Sequence, residues 1–417
     1  MLWRHCPIPL PDQGGFHPFG NGRSYGDVCL SDGGVLVDTR PMNRFIGMDG
    51  ESGILRCESG VLLSEVLDLI VPLGWFLPVV PGTQFVTVGG AVANDVHGKN
   101  HHRAGTFGCH VRALGLTRSN GEQLECSPMV NADLFAATIG GLGLTGVITW
   151  VEIQLKSIRS PFIQEETIRF RNIDEFFEIS KASDEGYEYT VAWVDCLKKG
   201  SSLGRGLFKR ANHFAGPDAK HGKLSGAKLA MPIDPPFPLV NKLSVKLMNS
   251  VYYRRQRGKS RTETVGYENF FFPLDNMKGW NRIYGPKGFV QYQFVVPYEN
   301  GYETIKDILG AIAVFGAGSF LAVLKIFGEI QSPGLLSFPR PGVTLALDFP
   351  ANDKVLDLLD SLDELTRAAG GAVYPAKDAR MSGYNFTNYY PQWEEMLEFV
   401  DPASRSHFWR RVTDLRS

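Results

Sequence analysis

Three glycine-bearing segments within the first 146 residues constrain this chain more than any other feature. They are residues 19–27 (FGNGRSYGD), 81–91 (PGTQFVTVGGA) and 139–146 (IGGLGLTG). Glycine lets backbone approach a ligand closely, and successive exposed amides can cradle a pyrophosphate. One such loop signals only a turn, whereas three in one domain point to a dinucleotide held by several loops. Two simpler readings fail on context. Gly22–Gly26 fits G-x-S-x-G, but a nucleophile elbow needs several strands before it and a helix after it. Here only 21 residues precede the motif, and residues 27–34 are turn-like. A Rossmann fingerprint fails too, because Tyr25 stands where the third glycine belongs and no βαβ unit surrounds it.

Composition narrows the class. With 417 residues, 43 % apolar and 21 % charged, the chain reads as an ordinary globular protein of two or three domains. A formal charge of −1 argues against a partner role with nucleic acid. No apolar run reaches the roughly 18 residues of a membrane span. Residues 1–12 lack the apolar core of a signal peptide. Six scattered cysteines without a CxxC pair suit free thiols in a reducing compartment. His97 and His101 have the i,i+4 spacing of a metal pair. Gly98 and Asn100 oppose a helix there and no third ligand lies nearby, so residues 95–102 (DVHGKNHH) are read as lining a cofactor pocket, with no metal.

Periodicity predicts strands at 35–38, 111–116 and 146–153, and a helix at 64–70 with Leu63, Val66, Leu67 and Ile70 on one face. The break at 157–161 suggests a domain boundary. Further strands are expected at 288–297, 319–328 and 344–349, and a helix at 354–369 bearing Leu356, Leu358, Leu359, Leu362 and Leu365. Residues 198–261 carry fifteen Lys or Arg and two acids. Inside them, the proline-rich stretch 231–238 excludes a regular helix, and an apolar run follows at 239–253. Two readings stand for this region: a solvated loop, or a surface for an anionic phospholipid or a phosphorylated lipid substrate.

These segments together resemble a known family. GNGRSYGD, PGTQFVTVGGAVANDVHGKNHH and GGLGLTG are similar to the flavin-binding half of the FAD oxidoreductases of the vanillyl-alcohol oxidase type. Within these, the likeness is to the decaprenylphosphoryl-β-D-ribose 2′-oxidase family, and it continues through PLDNMKGWNRIYG, GFVQYQFVVP, LAVLKIFG, LDFP and YPAKDAR. The resemblance implies an α+β fold. A split PCMH-type FAD-binding domain of two α/β subdomains would comprise residues 1–157 and 372–417. An antiparallel-sheet substrate domain, 158–371, would be inserted, with a partly mobile basic segment at 198–261. Only 18 residues precede Phe19, so the first subdomain is expected to be short or completed elsewhere.

Carried over residue by residue, the resemblance implies FAD contacts at Gly20, Asn21, Gly22, Arg23, Ser24, Tyr25, Gly26, Asp27, Gly82, Thr87, Val88, Gly89, Gly90, Asn94, Asp95, Val96, His97, Ile148 and Tyr374. It implies a substrate pocket of Lys99, Trp193, Gln291, Gln293, Lys325, Thr344 and Ala346, and catalytic roles for Lys377, Tyr25 and His97. Arg23 stands where relatives with covalent flavin carry histidine, so FAD is expected to be non-covalent. Val96, larger than glycine, implies slow reaction with oxygen and a quinone-like acceptor. Thr344 and Ala346 replace the Asn and the drug-reactive Cys of one family member, and Phe271 replaces a Tyr, which leaves the sugar open.

The implied reaction oxidises the 2′-hydroxyl of a polyprenyl-phosphoryl pentose, ribose, to the keto sugar. This is the first half of an epimerisation to the arabinose form, in cell-envelope polysaccharide synthesis. An NAD(P)H-dependent short-chain reductase would be the partner. The expected location is cytoplasmic, with peripheral contact at the inner membrane. The carbinol must lose a hydride to the flavin and a proton to a base. Lys377 is the first candidate base, if burial or a neighbouring cation lowers its pKa. It is alternatively an ammonium that stabilises developing charge. Tyr25 and His97 are the other candidate proton handlers. Two further readings remain: oxidation of a soluble polyol or aldonolactone, and a glycolipid-binding protein without turnover.

Overall fold

The computed structural model describes residues 10–11, 15–216, 229–230, 235, 238–319, 321–404 and 406–414. Most of the proline-rich stretch 231–238, and the part of the basic segment at 217–228, lie outside the described residues.

The fold is α+β, organised around two sheets. Five antiparallel strands run in the order Phe45–Asp49, Ile54–Glu58, Val147–Gln154, Val111–Thr117, Gln123–Cys126. The helix Leu63–Ile70 buries Leu63, Val66, Leu67 and Ile70, the i, i+3, i+4, i+7 positions of one face. It shares a core with Leu55, Val151 and the short helix Val88–Ala93. Each such side chain contributes about 2 kcal/mol by leaving water. Beside this sheet lies a parallel pair, Phe16–Phe19 with Val35–Asp38, and the first glycine loop connects its two strands. The C-terminal tail returns to it: Phe16 N donates to Ala403 O at 2.8 Å, and Asp401 N to Leu144 O at 2.8 Å.

The second sheet has eight antiparallel strands, in the order Ser260–Gly266, Phe162–Phe170, Gly206–His213, Tyr189–Val194, Val323–Phe327, Gly342–Pro350, Phe289–Val296, Ala372–Val373. The chain enters it at Phe162 and leaves it after Val373, so the last strand lies just inside the C-terminal tail. Side chains alternate across a strand. Tyr292, Phe294, Leu324, Leu345 and Leu347 therefore share one face and are buried in one core with the helices Ile173–Ser183, Tyr298–Phe315 and Asp353–Ala368. Trp193, Lys325, Gln291, Gln293, Thr344, Ala346 and Asp348 occupy the other face. Where such a polar face is buried, it must meet a partner or a ligand.

The apolar run at 239–253 forms the helix Lys242–Arg255, capped by Asn241, whose side chain accepts from Leu243 N and Ser244 N. Among the described residues no helix is long and apolar enough to cross a membrane. Nor does any group of three His, Cys, Asp or Glu come together as a metal site among them.

Candidate active site

The three glycine segments converge on one cleft. Gly20 from the first, Gly89 and Gly90 from the second, and Leu142, Gly143 and Gly146 from the third line it, with Asn94, Ile148, His17 and Ser59. The glycines are required by closeness: a Cβ at Gly89 would lie 2.8 Å from Ser59 Cβ. Thr87 caps the helix Val88–Ala93, its hydroxyl accepting from Gly90 N at 3.1 Å, while Gly89 N donates to Ser59 O at 2.7 Å. The amides of Val88, Gly89, Gly90 and Ala91 are thus occupied within the protein. Among the described residues, the amides of Asn21, Gly22, Arg23 and Ser24 have no acceptor, so the first loop offers free donors.

FAD fits this lining. His17 Nδ1, Ser59 Oγ and Asn94 Oδ1 are buried polar atoms of the cleft that lack a protein partner. A buried polar atom without a hydrogen bond is costly, and a polar cofactor beside it removes that cost. Ties between segments set the cleft's width. Asn21 Nδ2 donates to Phe85 O at 2.8 Å, and the Tyr374 hydroxyl to Asn94 O at 2.8 Å.

Beyond the cleft, the polar face of the large sheet meets the loop after Asn94. Antiparallel register sets Trp193, Val323, Ala346 and Gln293 in one row across four strands. Lys325 pairs with Thr344 in the next row, and Gln291 with Asp348 on the other side. His97 closes against this face. Lys325 Nζ donates to His97 Nδ1 at 3.1 Å and to Gly98 O at 3.3 Å. The Gln293 amide lies 2.9 Å from His97 Nε2 and 3.3 Å from Thr344 Oγ1. A neutral imidazole accepts at one nitrogen only. With Nδ1 accepting from Lys325, Nε2 carries the hydrogen, and the Gln293 amide must present its oxygen to His97.

Burial drives the electrostatics. His97 sits among Phe327, Phe338 and Tyr374, at ring distances of 4.8, 6.0 and 5.7 Å. Burial, reinforced by Lys325, holds it well below the usual imidazole range, so it is neutral. Burial also lowers Lys325 to about 7, with the Lys377 charge adding to the effect. Lys377 follows from the turn Pro375–Lys377 and lies 4.1 Å from the Tyr25 ring centre. Burial lowers it to about 8, and the Asp348 carboxylate opposes that fall. Burial raises Asp348 to about 6, while hydrogen bonding from Gln291 and the Lys377 charge hold it down. Burial and the Asp348 and Asp275 charges raise Tyr25 above the ordinary phenol range.

The structure thus brings together Tyr25, His97, Gln291, Gln293, Lys325, Thr344, Ala346 and Lys377. Other residues expected in the site have structural engagements. Lys99 is turned onto the carbonyls of Phe270 and Phe271 and lies over both rings. Asp27 pairs with Arg411 at 2.8 Å. Asp95, buried and at positive φ, accepts from the hydroxyls of Ser332 and Ser337 and from Gly108 N, which pins the turn leading to His97. Val88 and Val96 are core side chains. Gly82 has open space around it, and Arg23 is exposed, 5.8 Å from the Phe85 ring. Asp348 and the aromatic box around His97 were not anticipated. The signal for Asp348 was present, since it is the next residue on the face of Thr344 and Ala346.

Comparison with known proteins agrees with the geometry. Residues 13–127 match the FAD binding domain family. Decaprenylphosphoryl-β-D-ribose oxidase of Mycolicibacterium smegmatis is 37 % identical over 397 residues, 92 % of this chain and 85 % of that protein. An uncharacterised protein of Streptomyces coelicolor is 34 % identical over 360 residues, 82 % of this chain and 97 % of its own. Mus musculus L-gulonolactone oxidase is 34 % identical over 137 residues, 32 % of this chain and 30 % of its own. FAD is the cofactor, and the protein is an oxidoreductase. The chain belongs to the FAD-dependent oxidoreductase family that contains decaprenylphosphoryl-β-D-ribose oxidase.

Proposed function

We propose that this protein oxidises the 2′-hydroxyl of a polyprenyl-phosphoryl ribose to the keto sugar, for a short-chain NAD(P)H-dependent reductase to complete the epimerisation, and that it works at a membrane surface as a peripheral protein. One observation carries the reading: a polar sheet face presents Lys325, Gln291 and Gln293 toward the flavin loops, and the turn Pro375–Lys377 sets Lys377 beside Tyr25. Lys325, when protonated, suits an anionic sugar phosphate, and glutamine amides suit hydroxyls. When bound, FAD supplies the hydride acceptor, held by the loops around Gly20, Gly89, Asn94 and Ile148.

The chain's residues manage the proton and the pose. Lys377 takes the hydroxyl proton as a neutral amine, the form that burial makes accessible. Tyr25 remains a phenol and donates a hydrogen bond. Neutral His97, fixed between Lys325 and Gln293, orients that pair rather than accepting the proton. The substrate test is anaerobic. Short-chain polyprenyl-phosphoryl ribose should bleach the flavin, and free ribose, alditols and aldonolactones should not. Bleaching by a soluble polyol or lactone alone would replace this reading with an oxidase of such substrates. With Arg23 in place of a flavin-attaching histidine, acid precipitation should leave the yellow colour in the supernatant. Colour in the pellet would reveal a covalent bond.

A further inference from the structure

The helix Lys242–Arg255 turns apolar side chains away from the protein. Its inner side is anchored by Val245 and Asn249, both 1 % exposed. Asn249 Nδ2 donates to Asp195 Oδ1 at 3.0 Å, and Val245 packs with Val240 and Tyr284. Leu243, Leu247 and Val251, spaced i, i+4, i+8, form an outward stripe and are 76, 64 and 62 % exposed. Met248 beside them is also exposed. A helix normally turns its apolar stripe inward, and a contiguous exposed one marks an interaction surface.

Charge selects the partner. Residues 242–259 hold six Lys or Arg and no acid, in a chain whose formal charge is −1. Among the described residues, none of Lys242, Lys246, Arg254 and Arg255 pairs with a carboxylate. A second copy docked about a two-fold axis would bring these cations onto themselves. An anionic bilayer neutralises them while its acyl region receives the leucines.

We propose that this helix lies in the surface of an anionic phospholipid bilayer and seats the enzyme beside its lipid substrate. The proposal rests on the polyprenyl-phosphate reading above and deepens it. Position supports it. Tyr252, on the helix, meets Trp193 edge-on at 4.8 Å, and Trp193 begins the row that ends at Gln293. On the other flank, Tyr284 stacks on Phe289 at 4.7 Å and Phe289 meets Tyr25 at 5.5 Å. A prenyl tail can thus stay in the membrane while its sugar phosphate reaches the polar face.

The test uses flavin-loaded protein sedimented with vesicles of phosphatidylcholine, with or without phosphatidylglycerol, and no substrate. The wild type should sediment with the anionic vesicles only, and less so at high salt. The Leu243→Ser/Leu247→Ser/Val251→Ser variant should partition at least about tenfold less. Lys242→Glu/Lys246→Glu should lose the preference for phosphatidylglycerol, and it decides the matter alone if the triple variant does not retain flavin. Both variants should be bleached normally by substrate in detergent. Wild type that ignores anionic vesicles, or a triple variant that binds them as well, would overturn the proposal. A wild-type dimer that the serines split, with vesicle binding unchanged, would assign the stripe to a second copy instead. Because vesicle binding is read without substrate, its failure is separate from failure of the bleaching test.

Discussion

Lys377→Met should slow anaerobic flavin reduction by about 10³-fold and leave the flavin bound, the range expected when a general base is removed. Methionine keeps the length of the side chain and removes its proton chemistry. The pH dependence sets the sign. Burial lowers Lys377 to about 8, and a base is competent only when neutral, so the reduction rate should rise with pH through about 8 and then level. Asp348 favours the ammonium form, so Asp348→Asn should move that rise to lower pH. If Lys377 acts instead as an ammonium stabilising developing charge, the rate should fall as pH passes 8. Stopped-flow reduction of the two variants and the wild type across this range separates the roles. A descending or flat wild-type profile would remove Lys377 as the base.

The face of Asp348 follows from alternation with Thr344 and Ala346, but its partner was hidden in the sequence. Thr344 and Ala346 came from motif likeness, but LDFP reads as an ordinary strand end until register places Asp348 opposite Gln291. Partnership across strands is a long-range property, and nothing local to the motif encodes it. The surroundings of Lys99 were hidden for the same reason. This lysine adjoins His97 in sequence, yet the carbonyls that take its ammonium lie more than 170 residues away, at Phe270 and Phe271. Period-based elements were legible because their signal is local. Leu63, Val66, Leu67 and Ile70 do form the buried face of a helix, and alternation in GFVQYQFVVP separates Gln291 and Gln293 from Tyr292 and Phe294. The run at 239–253 was legible only as apolar. Its direction, outward, depends on Val245 and Asn249 finding partners in other elements.

The contact that holds Lys377 against Tyr25 rests on a missing methyl group. A Cβ at Gly26 would lie 1.5 Å from the carbonyl oxygen of Asp378 and 3.1 Å from Ala379 Cα. The obstacle is backbone, so no rotamer change relieves it. Around this point two contacts tie the first loop to the tail, and a third braces the tail itself. Tyr25 N donates to Ala376 O at 2.9 Å, and Arg411 bridges Asp27 at 2.8 Å and Asp378 at 3.2 Å. Gly26→Ala must push loop and tail apart and loosen the two contacts that cross between them. Overpacking of this kind costs about 3 kcal/mol, so the melting temperature should fall by several degrees. A displacement of about 1 Å at reacting groups costs about 10²-fold in rate, so flavin reduction should fall by that factor even where flavin is retained. Gly47→Ala is the control, since a Cβ there meets nothing within 4 Å, and its stability should stay within about 0.5 kcal/mol of wild type. A Gly26→Ala protein that melts and reacts like wild type would mean that loop and tail are not in contact, and that Lys377 is placed by something other than this junction.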